Sequence, residues 1–481
     1  MTGTSSNRWA VAVVAVIALV VRVFPFFGPD GAWSYRVDYD EGVYFSAASH
    51  LLSGHWPYRD FVFAHPPGVL IFLATTSAWM QGVLGVDGAF AVSRWIAAII
   101  GTLNVLLIAR LVRHVSGQQL AALFAAALYA VYPEVVQVER GPFLEPVLNL
   151  VCLSMVLCLQ LASEAGSTYR PAWVLIAGVL GGVAISIKLW AVLWLFGALG
   201  GLLLLGERRM FITFIVAIVL TAAALVLPFA LRAPSNFVTQ VGLFHLWRPP
   251  DGIVSKLARV EQIVALRHLA SPLLALGLLV ITLRRRETSS VVDRVVLIAW
   301  TLTLAGFFAS SAYWSQYNAH LIASEAVLAG LAFAMVSQTR LRAALAGLIA
   351  LSLGLSVFHV IRRSESSDEH LRLARSELRT SPECVFTFEP GWSLAAGRLP
   401  PATLVDSYAD QLLASLSGGA RFPSSAEAFA ANLDAPTAVT QCRHVILGDR
   451  GRRQLSPRAL EQFEAKRQRR ETAGLEVWDQ L

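Results

Sequence analysis

The chain has 481 residues, of which 56% are hydrophobic and only 15% charged, and its mean hydropathy is +0.58; a soluble domain is about 45–50% apolar and about a quarter charged. These values exclude an ordinary soluble enzyme and describe a polytopic membrane protein. The net charge of +7 is carried by arginines beside apolar segments (Arg208-Arg209, Arg284-Arg285-Arg286, Arg340 and Arg342), which reads as anchoring to membrane lipids on the cytoplasmic side and gives no argument for nucleic acid.

The first apolar run, Trp9 to Phe27, is long enough to cross a bilayer and lacks a small-residue cleavage site, so an uncleaved helix with a cytoplasmic N-terminus is expected. A polar, aromatic segment follows. It contains Asp38-Tyr39-Asp40-Glu41-Gly42-Val43-Tyr44, then Tyr58-Arg59-Asp60, then His65-Pro66-Pro67-Gly68, more carboxylates and rings than a simple connection needs. Residues 43–53 and 67–84 suit interfacial helices, the second opening on a proline pair that starts a helix but cannot continue one. Further spans are expected near residues 91–111, 118–133, 143–162, 172–188, 190–206, 211–230, 270–284, 292–311, 317–336 and 343–361, giving about eleven in all. An odd number puts the C-terminus outside and the arginine clusters inside. Arg36, Arg59, Arg140, Arg232, Arg248, Lys256, Arg259 and Arg267 then fall outside, where a phosphorylated substrate would account for them. Gly178-x-x-x-Gly182 and Gly197-x-x-x-Gly201 are small-residue rows for helix packing.

Two domains are therefore expected, a transmembrane module over 1–361 and an extracytoplasmic α/β domain over 362–481. In the second, Ser364 to Arg379 reads as a charged helix, Val385 to Phe388 and His444 to Leu447 as strands, and Ser425 to Leu433 as a helix between them. Cys384 and Cys442 precede the two strands, so parallel neighbours would bring their sulfurs together as a disulfide in an oxidising compartment. Cys152 and Cys158 lie in an apolar helix and should stay free.

The candidate chemistry gathers at expected outer helix ends: Asp40, Glu41, Tyr44, His65, Glu139, Arg140, Glu145, Lys188, His245, Arg248, Tyr313, Tyr317 and His320. A carboxylate can take a proton from an attacking hydroxyl, and Arg or Lys can neutralise a departing phosphate. The alternatives are plain ones. Arg22 reads as a cation snorkelling to headgroups, as Arg140 and Lys188 also could. Tyr313, Trp314 and Tyr317 fit an aromatic belt as well as a sugar platform. His65, His245 and Glu145 lack the fixed spacing of a metal site, so a divalent cation stays open. No Walker loop, dinucleotide fingerprint, nucleophile elbow or Cys-x-x-Cys pair is present.

The order of one helix, a loop with Asp40-Glu41 and Tyr44, then Tyr58-Arg59-Asp60 and His65-Pro66-Pro67-Gly68, together with Glu139-Arg140, Glu145, Lys188 and Phe244-His245-Leu246-Trp247-Arg248, resembles the GT-C glycosyltransferases. More narrowly, it is similar to the bacterial relatives of protein O-mannosyltransferases and aminoarabinose lipid A transferases. The resemblance implies an α-helical membrane fold and inverting transfer of a hexosyl or pentosyl group from a polyprenyl-phosphate donor to an extracytoplasmic acceptor; the C-terminal tail departs from the best-known members and nothing in the sequence supports protein mannosylation, so a lipid or glycan acceptor is expected ahead of a protein. It makes Asp40 the catalytic base, with Glu41 orienting the acceptor. Arg140, Lys188 and Arg248 would bind the donor phosphate, and Tyr44, His65, Glu145, His245 and Tyr317 the substrate. A transporter or flippase for lipid-linked sugars is the alternative, and would place ionisable groups at mid-membrane.

Overall fold

The computed structural model describes residues 3–480 except 167, 204–205, 249–255, 261–289, 337, scattered positions in 341–360, and residues 361–368, 381–384, 418–443, 455–460, 462–464, 466 and 473–474. Among the described residues, seven helices are long and apolar enough to span a membrane: Trp9–Phe27, Ala78–Ser116, Leu144–Glu164, Arg170–Ile187, Arg208–Ala230, Val291–Ala309 and Ser315–Met335. Apolar side chains such as Val13, Val16, Val216, Val219 and Leu220 point outward from two of them, as lipid contact requires. The molecule is a helical, multi-pass membrane protein. Two expected spans are the shorter apolar helices Gln119–Val131 and Ala191–Leu202. The span expected at 270–284 and most of that at 343–361 lie outside the described residues.

The chain forms two compact units, each built from three separate stretches. The first gathers Met1–Phe24, Ile96–Val226 and Val254–Ile361; the second gathers Pro25–Trp95, Leu227–Ile253 and Arg362–Leu481. The boundary expected at 361/362 is one of the breaks between the units, and the tail belongs with the first loop, Pro25–Trp95, in the second unit.

In the first unit, helices pack through small residues. Gly178 and Gly182 lie against Phe214, Ala217, Ile218 and Thr221, and a Cβ at Gly197 would stand 2.4 Å from the Val295 carbonyl oxygen, so these rows set how closely the backbones approach. The Val291–Ala309 helix starts at Ser290 with a capping box closed by Asp293. Cys152 and Cys158 are buried free thiols.

In the second unit, the Tyr39–Leu52 helix starts at Asp38, whose side chain accepts from the Asp40 N–H at 3.1 Å while Glu41 accepts from the Asp38 N–H at 3.0 Å. That reciprocal cap fixes the first turn. The Gln81–Ser116 helix is interrupted at Gly85, where φ is 74°, a conformation glycine adopts without penalty. The tail carries a four-stranded sheet in the order β1-β2-β4-β3, with β1 Val385–Thr387, β2 His444–Leu447, β3 Arg467–Thr472 and β4 Leu475–Gln480. β1 and β2 are parallel, as the sequence suggests, with Val385 opposite His444; β3 and β4 form an antiparallel hairpin beside them that the sequence reading omits. Cys384 and Cys442, and the helix expected at 425–433, lie outside the described residues.

Candidate active site

Asp40 sits half-buried in the first turn of the Tyr39–Leu52 helix, where the helix dipole favours a carboxylate. The Tyr44 hydroxyl, one turn on, donates to its Oδ2 at 3.4 Å and lies 3.3 Å from His65 Nε2. His65 is ringed by Tyr44, Phe63 and His245, with centroids 5.7, 5.9 and 5.8 Å away. The loop that carries it is pinned from several sides. Tyr58 donates to the His65 carbonyl at 2.6 Å, His245 Nε2 to the Ala64 carbonyl at 2.7 Å, and the Phe63 N–H to Gln240 at 3.0 Å. Arg248 spreads over the rings of Phe244 and Tyr408, 5.9 and 5.8 Å away. Asp40, Tyr44, His65 and His245 thus form one linked series.

Glu41 departs from its expected role. Arg94 Nε donates to its Oε2 at 2.9 Å and Arg94 Nη2 to its Oε1 at 3.1 Å, with both side chains buried; Oε1 also closes the helix cap. The same guanidinium takes the carbonyls of Ala32, Tyr35 and Arg36. Glu41 therefore ties the first loop to Arg94 instead of facing an acceptor.

The tail supplies groups that the sequence reading does not single out. Tyr39 donates to Asp406 Oδ1 at 3.1 Å and lies 3.3 Å from the Ser407 hydroxyl, while Arg450 stacks 3.9 Å above its ring and donates to Glu389 Oε1 at 3.2 Å. Burial pushes the Tyr39 phenol well up, helped by the Asp406 charge. Burial also raises Asp406, lifts Asp410 to about 6 with the aid of Asp406, and lifts Glu389 to about 7 against the pull of Arg450. The sequence signal for Arg94 was a lone cation in an apolar run. For Glu389 and Arg450 it was their place just after two parallel strands.

In the first unit, Lys188 caps the end of the Arg170–Ile187 helix in extended backbone. Its Nζ donates to Glu145 Oε1 at 2.5 Å and stands 4.3 Å over the Tyr317 ring, which Trp190 flanks at 5.7 Å. Three residues picked from sequence are here one cluster, buried apart from the ring of Tyr317. His320 beside them contacts Asn149 Oδ1 through Nδ1 at 2.7 Å.

Arg140 donates to the carbonyls of Val21 at 2.6 Å and Arg22 at 3.2 Å, so it closes the end of the first helix, where the carbonyls lack partners. Arg22 does not snorkel. It is fully buried and paired with Glu139, its Nε donating at 2.8 Å, and Glu139 is also held by Tyr129 at 2.7 Å and Asn104 at 2.9 Å. A buried charge persists only with such partners. Among the described residues, no group of three or more His, Cys, Asp and Glu side chains is arranged to hold a metal ion; Glu145 is taken by Lys188 and His245 by a carbonyl.

Residues 64–231 match the family described as dolichyl-phosphate-mannose-protein mannosyltransferase. No curated protein matches the chain. Solved structures do. ArnT from Cupriavidus metallidurans in the apo state aligns with a TM-score of 0.66 at 14% identity, covering 99% of this chain and 98% of that one. The same enzyme bound to undecaprenyl phosphate aligns with a TM-score of 0.65 at 13% identity and the same coverage. The archaeal oligosaccharyltransferase AglB from Archaeoglobus fulgidus, in complex with an inhibitory peptide and a dolichol-phosphate, aligns with a TM-score of 0.58 at 14% identity, covering 92% of this chain and 69% of that one.

Proposed function

We propose that this chain, whose fold is that of the GT-C membrane glycosyltransferases, is itself a glycosyltransferase that moves a hexose or pentose from a polyprenyl-phosphate donor to a lipid or glycan acceptor outside the cytoplasm. The observation that carries the reading is the contrast at the start of the Tyr39–Leu52 helix. Of two adjacent carboxylates, Glu41 is locked by Arg94 and the helix cap, while Asp40 is half-buried and linked through Tyr44 to His65 and its aromatic surround. A carboxylate in that setting suits general-base work.

In the reaction, Asp40 takes the proton of the acceptor hydroxyl as its oxygen attacks the anomeric carbon of the donor sugar. The bond from that carbon to the phosphate oxygen breaks, and the electron pair leaves with the polyprenyl phosphate. One displacement inverts the anomeric centre. Lys188, backed by Tyr317, supplies positive charge for the leaving phosphate, and Glu145 fixes the ammonium in place. Arg248, on its two rings, is a second cation for the donor. Undecaprenyl phosphate in the ArnT structure and dolichol-phosphate in the AglB structure support a lipid-phosphate donor, and the arginine clusters support a cytoplasmic N-terminus and an external tail.

The test is mass spectrometry of envelope glycans and glycolipids from cells with the native protein, without it, and with Asp40→Asn. Loss of one sugar unit in the deletion and its failure to return with Asp40→Asn are expected, with turnover in the purified variant down about 10²-fold or more. A native product level from Asp40→Asn would sink the mechanism, and relocation of a lipid-linked sugar without covalent change would favour a flippase.

A further inference from the structure

Parallel strands deliver the residues that follow them to one edge of a sheet, and in open α/β sheets that carboxyl edge is where ligand-facing groups collect. Here β1 and β2 pair in parallel over Val385–Thr387 and His444–Ile446. Glu389 comes two residues after β1, and Arg450 three after β2. The two side chains meet, Arg450 Nε donating to Glu389 at 3.2 Å, and the guanidinium lies 3.9 Å above Tyr39, the residue before Asp40. Its charge acts on Asp40 and Asp38 as well as on Glu389 and Tyr39.

This docking is seated by backbone, not only by side chains. A Cβ on Gly42 would stand 2.4 Å from the Gly391 nitrogen, and one on Gly391 would stand 2.3 Å from Val37, so the Pro390–Ala395 helix after β1 lies directly against the turn that holds Asp40. Tyr39 adds its bond to Asp406. The carboxyl edge of the tail sheet is thus held against the first turn of the Tyr39–Leu52 helix.

We propose that Arg450 is a positioning residue for Asp40: the tail holds its guanidinium over Tyr39 so that Asp40 stays a charged carboxylate ready to accept a proton. The proposal rests on the reading of Asp40 as the base. The ionisable groups around that turn are Asp38 in the cap, Glu41 paired with Arg94, Tyr44 bonded to Asp40 with His65 behind it, and Tyr39 bonded to Asp406, itself in the field of Arg248. Glu389 lies in the fields of Arg36, Arg450 and Asp38. Asp38 is a second carboxylate on the same turn, and the charge of Arg450 acts on both.

The test needs no sugar substrate. Dicyclohexylcarbodiimide labels protonated carboxyls, so its incorporation at Asp40 in the full-length protein in detergent, read by peptide mass spectrometry across pH, gives the protonation midpoint of that residue; Asp40→Asn confirms the labelled position. Arg450→Gln should move the midpoint up by about one pH unit, the lower end for loss of a nearby opposite charge, and Arg450→Lys should return it most of the way. Arg450→Met, which keeps the packing over Tyr39, carries the same expectation if Arg450→Gln does not fold. Glu389→Gln should leave the midpoint in place, because burial already raises that carboxyl to about 7. An unmoved midpoint in the Arg450 variants, or an equal rise in Glu389→Gln, would overturn the proposal. If instead the midpoint moves but Asp40→Asn transfers sugar normally, the base assignment has failed and the electrostatic coupling stands.

Discussion

Lys188 shows how one buried cation can serve both packing and chemistry. Its ammonium is held by Glu145 at 2.5 Å and by the Tyr317 ring at 4.3 Å, so removing it alone also leaves a lone carboxylate in a buried place, which costs about 3 kcal/mol or more. The two effects separate in a pair of variants. Lys188→Met should lower the melting temperature and weaken undecaprenyl phosphate binding about tenfold or more, whereas Lys188→Met with Glu145→Gln should regain most of the melting temperature and none of the binding. Restored titration by undecaprenyl phosphate in the double variant would show that Lys188 only neutralises Glu145. The residue types at Lys188, Glu145 and Tyr317 were legible in the sequence because charged groups in apolar surroundings are rare. What each charge faces was not. Arg22, Arg140 and Lys188 look alike in sequence, and only partners distant along the chain, 117 residues for Arg22 with Glu139 and 43 for Lys188 with Glu145, tell their surroundings apart.

The Tyr39–Leu52 helix is the element on which both candidate chemistry and assembly turn. Its start was readable from Asp38 and Glu41, three apart in the pattern of a capping box, yet that same pattern explains why Glu41 was misread, since an acidic neighbour of a catalytic carboxylate and an N3 cap residue have the same sequence. Its buried face includes Gly42 because another backbone passes there. Gly42→Val should push the Pro390–Ala395 helix away, given a Cβ position 2.4 Å from the Gly391 nitrogen, and expose the tail to limited proteolysis near residues 390–400 while the membrane helices stay intact. Native protease resistance would show that the contact yields easily. The hairpin of β3 and β4 escaped the sequence reading because its first strand, Arg467 to Thr472, is nearly all polar, as suits a sheet edge, and so lacks the apolar run by which β1 and β2 are found. The buried Val477 and Trp478 on β4 were the available signal.

Across the whole chain, the hydropathy profile marks the break at 361/362 but not what the tail packs with, because that profile detects solvent and not contact. The second unit takes its parts from Pro25–Trp95, Leu227–Ile253 and Arg362–Leu481. Deleting residues 362–481 should therefore leave a protein that inserts in the membrane but transfers no sugar, and supplying the tail as a separate chain should restore some activity if the interface forms in trans. Transfer by the truncated protein, measured as labelled sugar in the lipid or glycan fraction, would show that the tail is dispensable. The same interleaving has a consequence for synthesis. Tyr39 and Asp406 are 367 residues apart, and at about 5 to 20 residues per second a ribosome needs about 20 to 70 seconds to travel between them. For that interval the first loop is already made and the tail that completes its fold is still to come, so Asp40 acquires its native surroundings only after the tail has been synthesised, and a polypeptide abandoned partway carries the carboxylate without the structure around it.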